Sequence, residues 1–133
     1  MIEGYKLVQI PSTGDERGQL SFVEYGQVLD FQVNRVYWLY DLKKERGAHA
    51  HKKLKQFMFC SNGSLDLVLS DGENSVTISL DSPNKGIIIS KPLWRDITNF
   101  KNNPCLVVLA SNKYDESDYI RSFEEFKSWK SRF

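Results

Sequence analysis

The sequence predicts an all-β domain, a barrel or sandwich of short strands with one C-terminal helix. Three observations carry this. Short runs rich in Val, Ile, Leu, Phe, Tyr and Trp follow one another along most of the chain. Gly, Asn, Asp and Pro stand between them, as turns require. Only the tail repeats its apolar residues at a helical period. A chain of 133 residues fits one domain around one core, residues 1–133 throughout.

The elements follow in order. A strand over residues 5–10 comes first, then one over 19–24 after the turn Ser12-Thr-Gly-Asp-Glu-Arg-Gly18. Residues 31–42 alternate in part and are rich in Val, Tyr and Trp. A strand over 54–60 ends at Ser61-Asn-Gly63, and one over 65–69 ends at Ser70-Asp-Gly72, the clearest hairpin turn in the chain. Strands over 75–80 and 86–90 end at Pro83 and Pro92. Residues 95–100 end at Lys101-Asn-Asn-Pro104, and 106–110 form the last run, Leu-Val-Val-Leu-Ala. The helix is predicted over about 122–131. Ile120, Phe123, Phe126 and Trp129 recur every third residue, and Ser122 with Glu125 can form a capping box. That aromatic stripe is expected to pack on the barrel.

Composition excludes several classes. No run of about 18 apolar residues exists, so no membrane-spanning helix is expected. The N-terminus has an early acid and no apolar block, unlike a signal peptide, so a cytoplasmic protein is expected. Eighteen Lys and Arg against 17 Asp and Glu leave a net charge of +1, too little for a general nucleic-acid coat. Cys60 and Cys105 sit in apolar runs without a Cys-x-x-Cys spacing and read as free thiols.

His49 and His51 are the only histidines. In a strand, residues i and i+2 face the same way, so both imidazoles enter one space. Arg46, His49, His51 and Lys53 are expected to form one ionisable row. Such a row cannot enter a dry core without heavy desolvation cost, so it should line a polar cleft. Gln56 falls out of the alternation unless a bulge re-aims it.

The spacing of this run resembles the first motif of the cupins. Gly47 precedes the pair, Gln56 lies five residues after His51, and Gly63 lies seven after Gln56. Gly86, five residues and Pro92 match the second motif. The resemblance implies a cupin jelly-roll barrel. It places Gln56 where cupins carry a metal-binding Glu, and Ile97 where they carry the last His. An amide is a poor ligand and an isoleucine is none, so no metal and no other cofactor are expected. The histidines are then free to carry protons.

At a finer level the chain resembles the dTDP-sugar 3,4-ketoisomerases. The matching stretches are Asn34-Arg-Val-Tyr-Trp-Leu-Tyr40, Arg46-Gly-Ala-His-Ala-His-Lys-Lys-Leu-Lys-Gln56, Cys60-Ser-Asn-Gly-Ser64, Leu80-Asp-Ser-Pro83, Pro92-Leu-Trp-Arg95 and Val108-Leu-Ala-Ser-Asn-Lys-Tyr-Asp-Glu-Ser-Asp-Tyr-Ile-Arg121. The resemblance implies a metal-independent isomerase acting on dTDP-4-keto-6-deoxyglucose through an enediol. Its 3-keto product would feed 3-amino-3,6-dideoxysugar synthesis. His51 is implied as the base at the ring carbons and His49 as its partner. Tyr37 and Arg46 are candidates to stabilise the enediolate. Lys53, Arg95 and Arg121 are candidates for the pyrophosphate and Trp94 for the thymine, with Arg17 near the sugar and Gln56 in the cleft. The family is typically a homodimer that exchanges N-terminal strands, here residues 6–10. Other readings are a sugar-nucleotide 3,5-epimerase, a metal-dependent cupin oxygenase and a non-catalytic sugar-nucleotide-binding module.

Overall fold

The computed structural model describes residues 2–133. Its strands are β1 (Tyr5–Gln9), β2 (Ser12–Asp15), β3 (Gly18–Ser21), β4 (Arg35–Leu39), β5 (Arg46–His51), β6 (Gln56–Ser70), β7 (Ser75–Leu80), β8 (Lys85–Ile89), β9 (Trp94–Ala110) and β10 (Tyr119–Ile120). A single 3₁₀ turn, Glu116–Asp118, precedes β10, and helix α1 (Phe123–Lys130) follows it. The all-β expectation with one C-terminal helix holds.

Two long strands, β6 and β9, organise the molecule. The first part of β6 pairs with β8 and with the last part of β9, while its second part pairs with β7 and with the start of β9. One layer therefore runs β1-β8-β6-β9-β4 and the other β7-β6-β9-β5-β10, all antiparallel. The sheet curls into a half-barrel with the shared strands as its fold line. Leu65, Leu67 and Leu69 are buried at every second position of β6, and they meet Leu80, Ile87, Ile89 and Leu106 in the core.

Sequence punctuation misplaces two strand ends. The runs 54–60 and 65–69 are one strand, as are 95–100 and 106–110. The signals Ser61-Asn-Gly63 and Lys101-Asn-Asn-Pro104 become facing bulges. The β6–β9 register shifts between Cys60 and Asn62 and again on either side of Ser64. Gly63, Asn102 and Asn103 take positive φ there, at 65°, 58° and 52°. Asn62 Nδ2 donates to the carbonyls of both asparagines, at 3.1 and 3.0 Å.

Other boundaries move less. The strand predicted over 31–42 shortens to β4. The strand predicted over 19–24 shifts to β3 and pairs with β2 in a separate hairpin. Residues 5–9 pair with β8. β10 is not foreseen in the sequence; two residues suffice to pair Tyr119 with His51 and Ile120 with Ala50. Cys60 and Cys105 are both free thiols, the first of them buried.

Helix α1 covers the back of β5. Ser122 is its N-cap, and its hydroxyl accepts from Glu125 N at 3.3 Å. Phe126 is fully buried against Ala50, Trp94 and Ile120, with Phe123 and Trp129 beside it. The stripe thus packs as expected. Because Ala50 meets the helix, its neighbours His49 and His51 face inward.

Candidate active site

A bulge in β5 sets the site. Arg46 pairs with Ile97 and Gly47 with Asp96, but the next partner of β9, Arg95, lies opposite His49, leaving Ala48 extra. Gly47 has φ 95° and Ala48 φ 43°. A Cβ on Gly47 would stand 2.9 Å from the Arg95 carbonyl oxygen, so only glycine fits. Strict alternation sets Arg46 against the histidines. The extra residue brings it round to their side, and Arg46 and His49 line one cavity. Lys53 has the histidine parity yet leaves the row, because β5 ends at His51.

That cavity, about 270 Å³, lies between the two layers. Met58, Leu67, Ile97, Leu106 and Val108 form its apolar wall. Its polar wall is Arg35, Tyr37, Arg46, His49, Arg95, Tyr119 and Arg121. Four arginines and no carboxylate line it, so it attracts anions. No helix is long and apolar enough to cross a membrane among the described residues, and no three His, Cys, Asp or Glu side chains gather there as metal ligands.

The imidazoles meet edge to face, with ring centroids 4.9 Å apart and planes at 87°. His49 Nδ1 lies 2.6 Å from the Gly47 carbonyl oxygen, and His51 Nδ1 lies 3.0 Å from Asp118 Oδ2. Both oxygens accept, so both Nδ1 atoms carry the proton and both Nε2 atoms keep a bare lone pair. His51 is 1% exposed, and its Nε2 is buried without a partner. Burial, aided by the Arg95 charge, pushes His49 down to about 4 and holds His51 low as well. Both are neutral at pH 7. Tyr119 stands against both rings, at 4.3 Å from His51 and 5.2 Å from His49. His51 also borders a smaller void of about 60 Å³ with Lys53, Asp115 and Asp118.

A second array crosses the cavity wall. Arg95 is 2% exposed and Gln56 is fully buried. Arg95 Nη1 donates to Gln56 Oε1, and its Nη2 donates to the Leu93 carbonyl at 3.1 Å. Gln56 Nε2 donates to the Tyr37 hydroxyl at 2.8 Å. Burial raises the Tyr37 phenol, which stays protonated. Arg95 therefore lies deep, whereas Arg46 and Arg121 are exposed at the mouth. Arg121 stacks on Tyr119 at 4.3 Å and pairs with Glu116 through two hydrogen bonds of 2.8 and 2.9 Å.

Two expected site residues, Trp94 and Arg17, lie elsewhere, and a third, Lys53, stands outside the larger cavity at the smaller void. Trp94 precedes the inward-facing Arg95 and so points outward, under the helix. Its ring packs on Phe123 and Phe126, at 5.5 and 6.1 Å, and cannot meet a base in the cavity. Arg17 sits exposed at the β2–β3 turn, paired with Asp15 at 2.6 Å. Lys53 is exposed, and its backbone N–H donates to Asp118 Oδ1 at 2.7 Å. Conversely, Arg35, Asp118 and Tyr119 enter the site unannounced. All three fall inside matched stretches, but no local period marks them; β10 closing on β5 places the latter two.

The family model described as "FdtA: WxcM-like, C-terminal" matches residues 3–131. The chain is 40% identical over 126 residues to a TDP-4-oxo-6-deoxy-α-D-glucose-3,4-oxoisomerase of Aneurinibacillus thermoaerophilus, covering 93% of this chain and 91% of that one. A 3,4-ketoisomerase of Helicobacter canadensis superposes with a TM-score of 0.92 at 40% identity, over 96% of this chain and 97% of that one. A histidine-to-asparagine variant of the 3,4-ketoisomerase QdtA from Thermoanaerobacterium thermosaccharolyticum, solved with TDP-4-keto-6-deoxyglucose, gives 0.95 at 31% identity, over 99% and 97%. The 3′-monoepimerase ChmJ of Streptomyces bikiniensis, at 19% identity and a TM-score of 0.79, shares the fold alone. With a family match over nearly the whole chain and relatives of this identity, the protein is an isomerase of the FdtA family of sugar 3,4-ketoisomerases.

Proposed function

We propose that the chain converts dTDP-4-keto-6-deoxyglucose to a dTDP-3-keto-6-deoxyhexose by proton transfer through an enediol. His51 Nε2 takes the C3 proton, which the adjacent C4 carbonyl makes acidic. The C3–H electron pair becomes the C3=C4 double bond, and the C4 carbonyl pair moves onto O4. A proton on O4 gives the enediol. Loss of the O3 proton then forms the C3 carbonyl while C4 receives a proton. Atoms and electrons balance without an oxidant or a metal. His49, at right angles to His51, is the relay for the oxygen protons. Arg35, Arg46 and Arg121 meet the pyrophosphate at the mouth.

The observation that carries this reading is the imidazole pair with Asp118 behind it. Both rings hold their protons on Nδ1 and offer Nε2 as a base. The 3-keto product has the electrophilic carbon that a transaminase needs, which fits a place before amino-group transfer to C3.

Incubation with dTDP-4-keto-6-deoxyglucose in deuterated water tests the reading, with the product trapped by an aminotransferase and analysed by NMR. Deuterium at C4 of a 3-keto sugar is expected. His51→Asn is expected to bind the substrate and lose turnover by about 10²-fold or more. A wild-type protein that makes no 3-keto sugar, or a variant as fast as the wild type, rejects it.

The chain also reads as a homodimer. Val36 and Trp38 on the outer face of β4, Leu7 on β1 and Leu20 on β3 are large exposed apolar side chains. Light scattering should give twice the mass of 15.4 kDa; a monomer at micromolar concentration refutes the pairing.

A further inference from the structure

We propose that Gln56 fixes the direction of a hydrogen-bond chain from Arg95 to Tyr37. It thereby aims the Tyr37 hydroxyl proton at the sugar oxygen that becomes anionic during isomerisation. The inference rests on the ketoisomerase reading of the site and assigns Gln56 as a positioning residue for that reaction.

The direction follows from donor accounting. A guanidinium has donors and no acceptor, so the Gln56 atom facing Arg95 is its oxygen. The amide nitrogen then faces Tyr37 and can only donate. The Tyr37 oxygen accepts that bond, which leaves its own proton for another partner. The hydroxyl donates to no protein atom among the described residues. Tyr37 lines the cavity, so the proton points at whatever occupies it.

Arg95 supplies the polarity. It lines the same cavity, is 2% exposed, makes no ion pair among the described residues, and has a buried Nε without a partner. A buried cation with no counter-ion is costly unless a ligand's negative charge completes the site. Its charge polarises Gln56 and, through it, Tyr37. The result is a donor held in place before negative charge develops, needing no rearrangement when it does. A glutamine serving only to fill the wall would show none of this dependence on which end of the amide faces which partner.

Gln56→Glu separates the two roles because it keeps the shape and removes the donor. A carboxylate accepts from Arg95 and from Tyr37, so the tyrosine proton turns away from the cavity and the guanidinium is neutralised. Turnover and TDP affinity are measured together, by NMR of the product and by calorimetry. The expected result is a kcat lower by about 10²–10³-fold with a far smaller change in the Kd for TDP, whose phosphates meet Arg35, Arg46 and Arg121. Tyr37→Phe should lose a similar factor. The double variant should lose no more than the worse single one, since both remove one donor. Wild-type kcat in Gln56→Glu, or losses that multiply in the double variant, overturns the inference. If Gln56→Glu does not fold, Tyr37→Phe decides, and wild-type kcat there overturns it too. A wild-type protein inactive in the same assay overturns the ketoisomerase reading itself and takes this inference with it.

Discussion

Asp118 takes the Nδ1 proton of His51 into a hydrogen bond, while the Lys53 N–H holds its other oxygen at 2.7 Å. This fixes both the ring and its tautomer, and Nε2 is left with a free lone pair. Asparagine in that place can present an amide N–H to Nδ1, which moves the ring proton to Nε2 and blocks proton uptake. Asp118→Asn is therefore expected to lower kcat by about 10²–10⁴-fold, by analogy with carboxylate–imidazole pairs in general. TDP affinity should hold, and ¹⁵N NMR of the imidazoles should show the changed tautomer. Unchanged turnover would remove Asp118 from the machinery. Its role is illegible in the sequence because the pair spans 67 residues. His49, His51, Arg46, Tyr37 and Arg121 are legible, since each sits in a motif and each borders the cavities. Trp94 and Lys53 stand outside the larger cavity. Alternation assigns faces only within a strand of known phase, and a strand end and an inward Arg95 decide those two.

Element type is legible in this chain and element extent is not. Turn residues at Ser61-Asn-Gly63 and Lys101-Asn-Asn-Pro104 have the chemistry that ends strands. Here they oppose each other, and a Cβ on Gly63 would meet the Asn102 and Lys101 carbonyl oxygens at 2.6 Å. The backbones approach so closely that pairing resumes beyond the bulges. Asparagine tolerates the positive φ this demands. The strands bend instead of ending, and the bend lets β6 and β9 serve both layers. The bulge at Gly47 and Ala48 works on the same principle at a smaller scale: one extra residue re-aims a strand and gathers Arg46 with His49. Single-sequence periodicity has no access to such bulges, because they depend on the partner strand. The helix is legible to within a residue, since its cap and its stripe are local.

At the scale of the whole molecule, two neutral histidines, His49 half-buried in the wall of the arginine-lined cavity and His51 buried behind it, tie folding to pH. An unfolded chain carries ordinary histidines, which protonate near 6.5, whereas burial holds His49 to about 4 and His51 low too. Below pH 6.5 the unfolded state binds protons that the native state refuses. Stability is thus fully present above that pH and declines as pH falls toward 4. The slope should be about 1.4 kcal/mol per pH unit for each histidine. The chain has no other histidines. Carboxylates held low by their partners, such as Glu116 at about 2, lose their contribution only in more acidic solution. Urea unfolding at pH 7, 6 and 5 therefore isolates the pair. Midpoints should fall steadily across that range, and the His49→Gln, His51→Gln double variant should flatten the dependence whatever its absolute stability. A wild-type midpoint constant from pH 7 to 5 would mean that the imidazoles are protonated as easily in the folded protein as in water. They would then lie open to solvent, and the dry, electropositive wall that keeps them neutral would not exist.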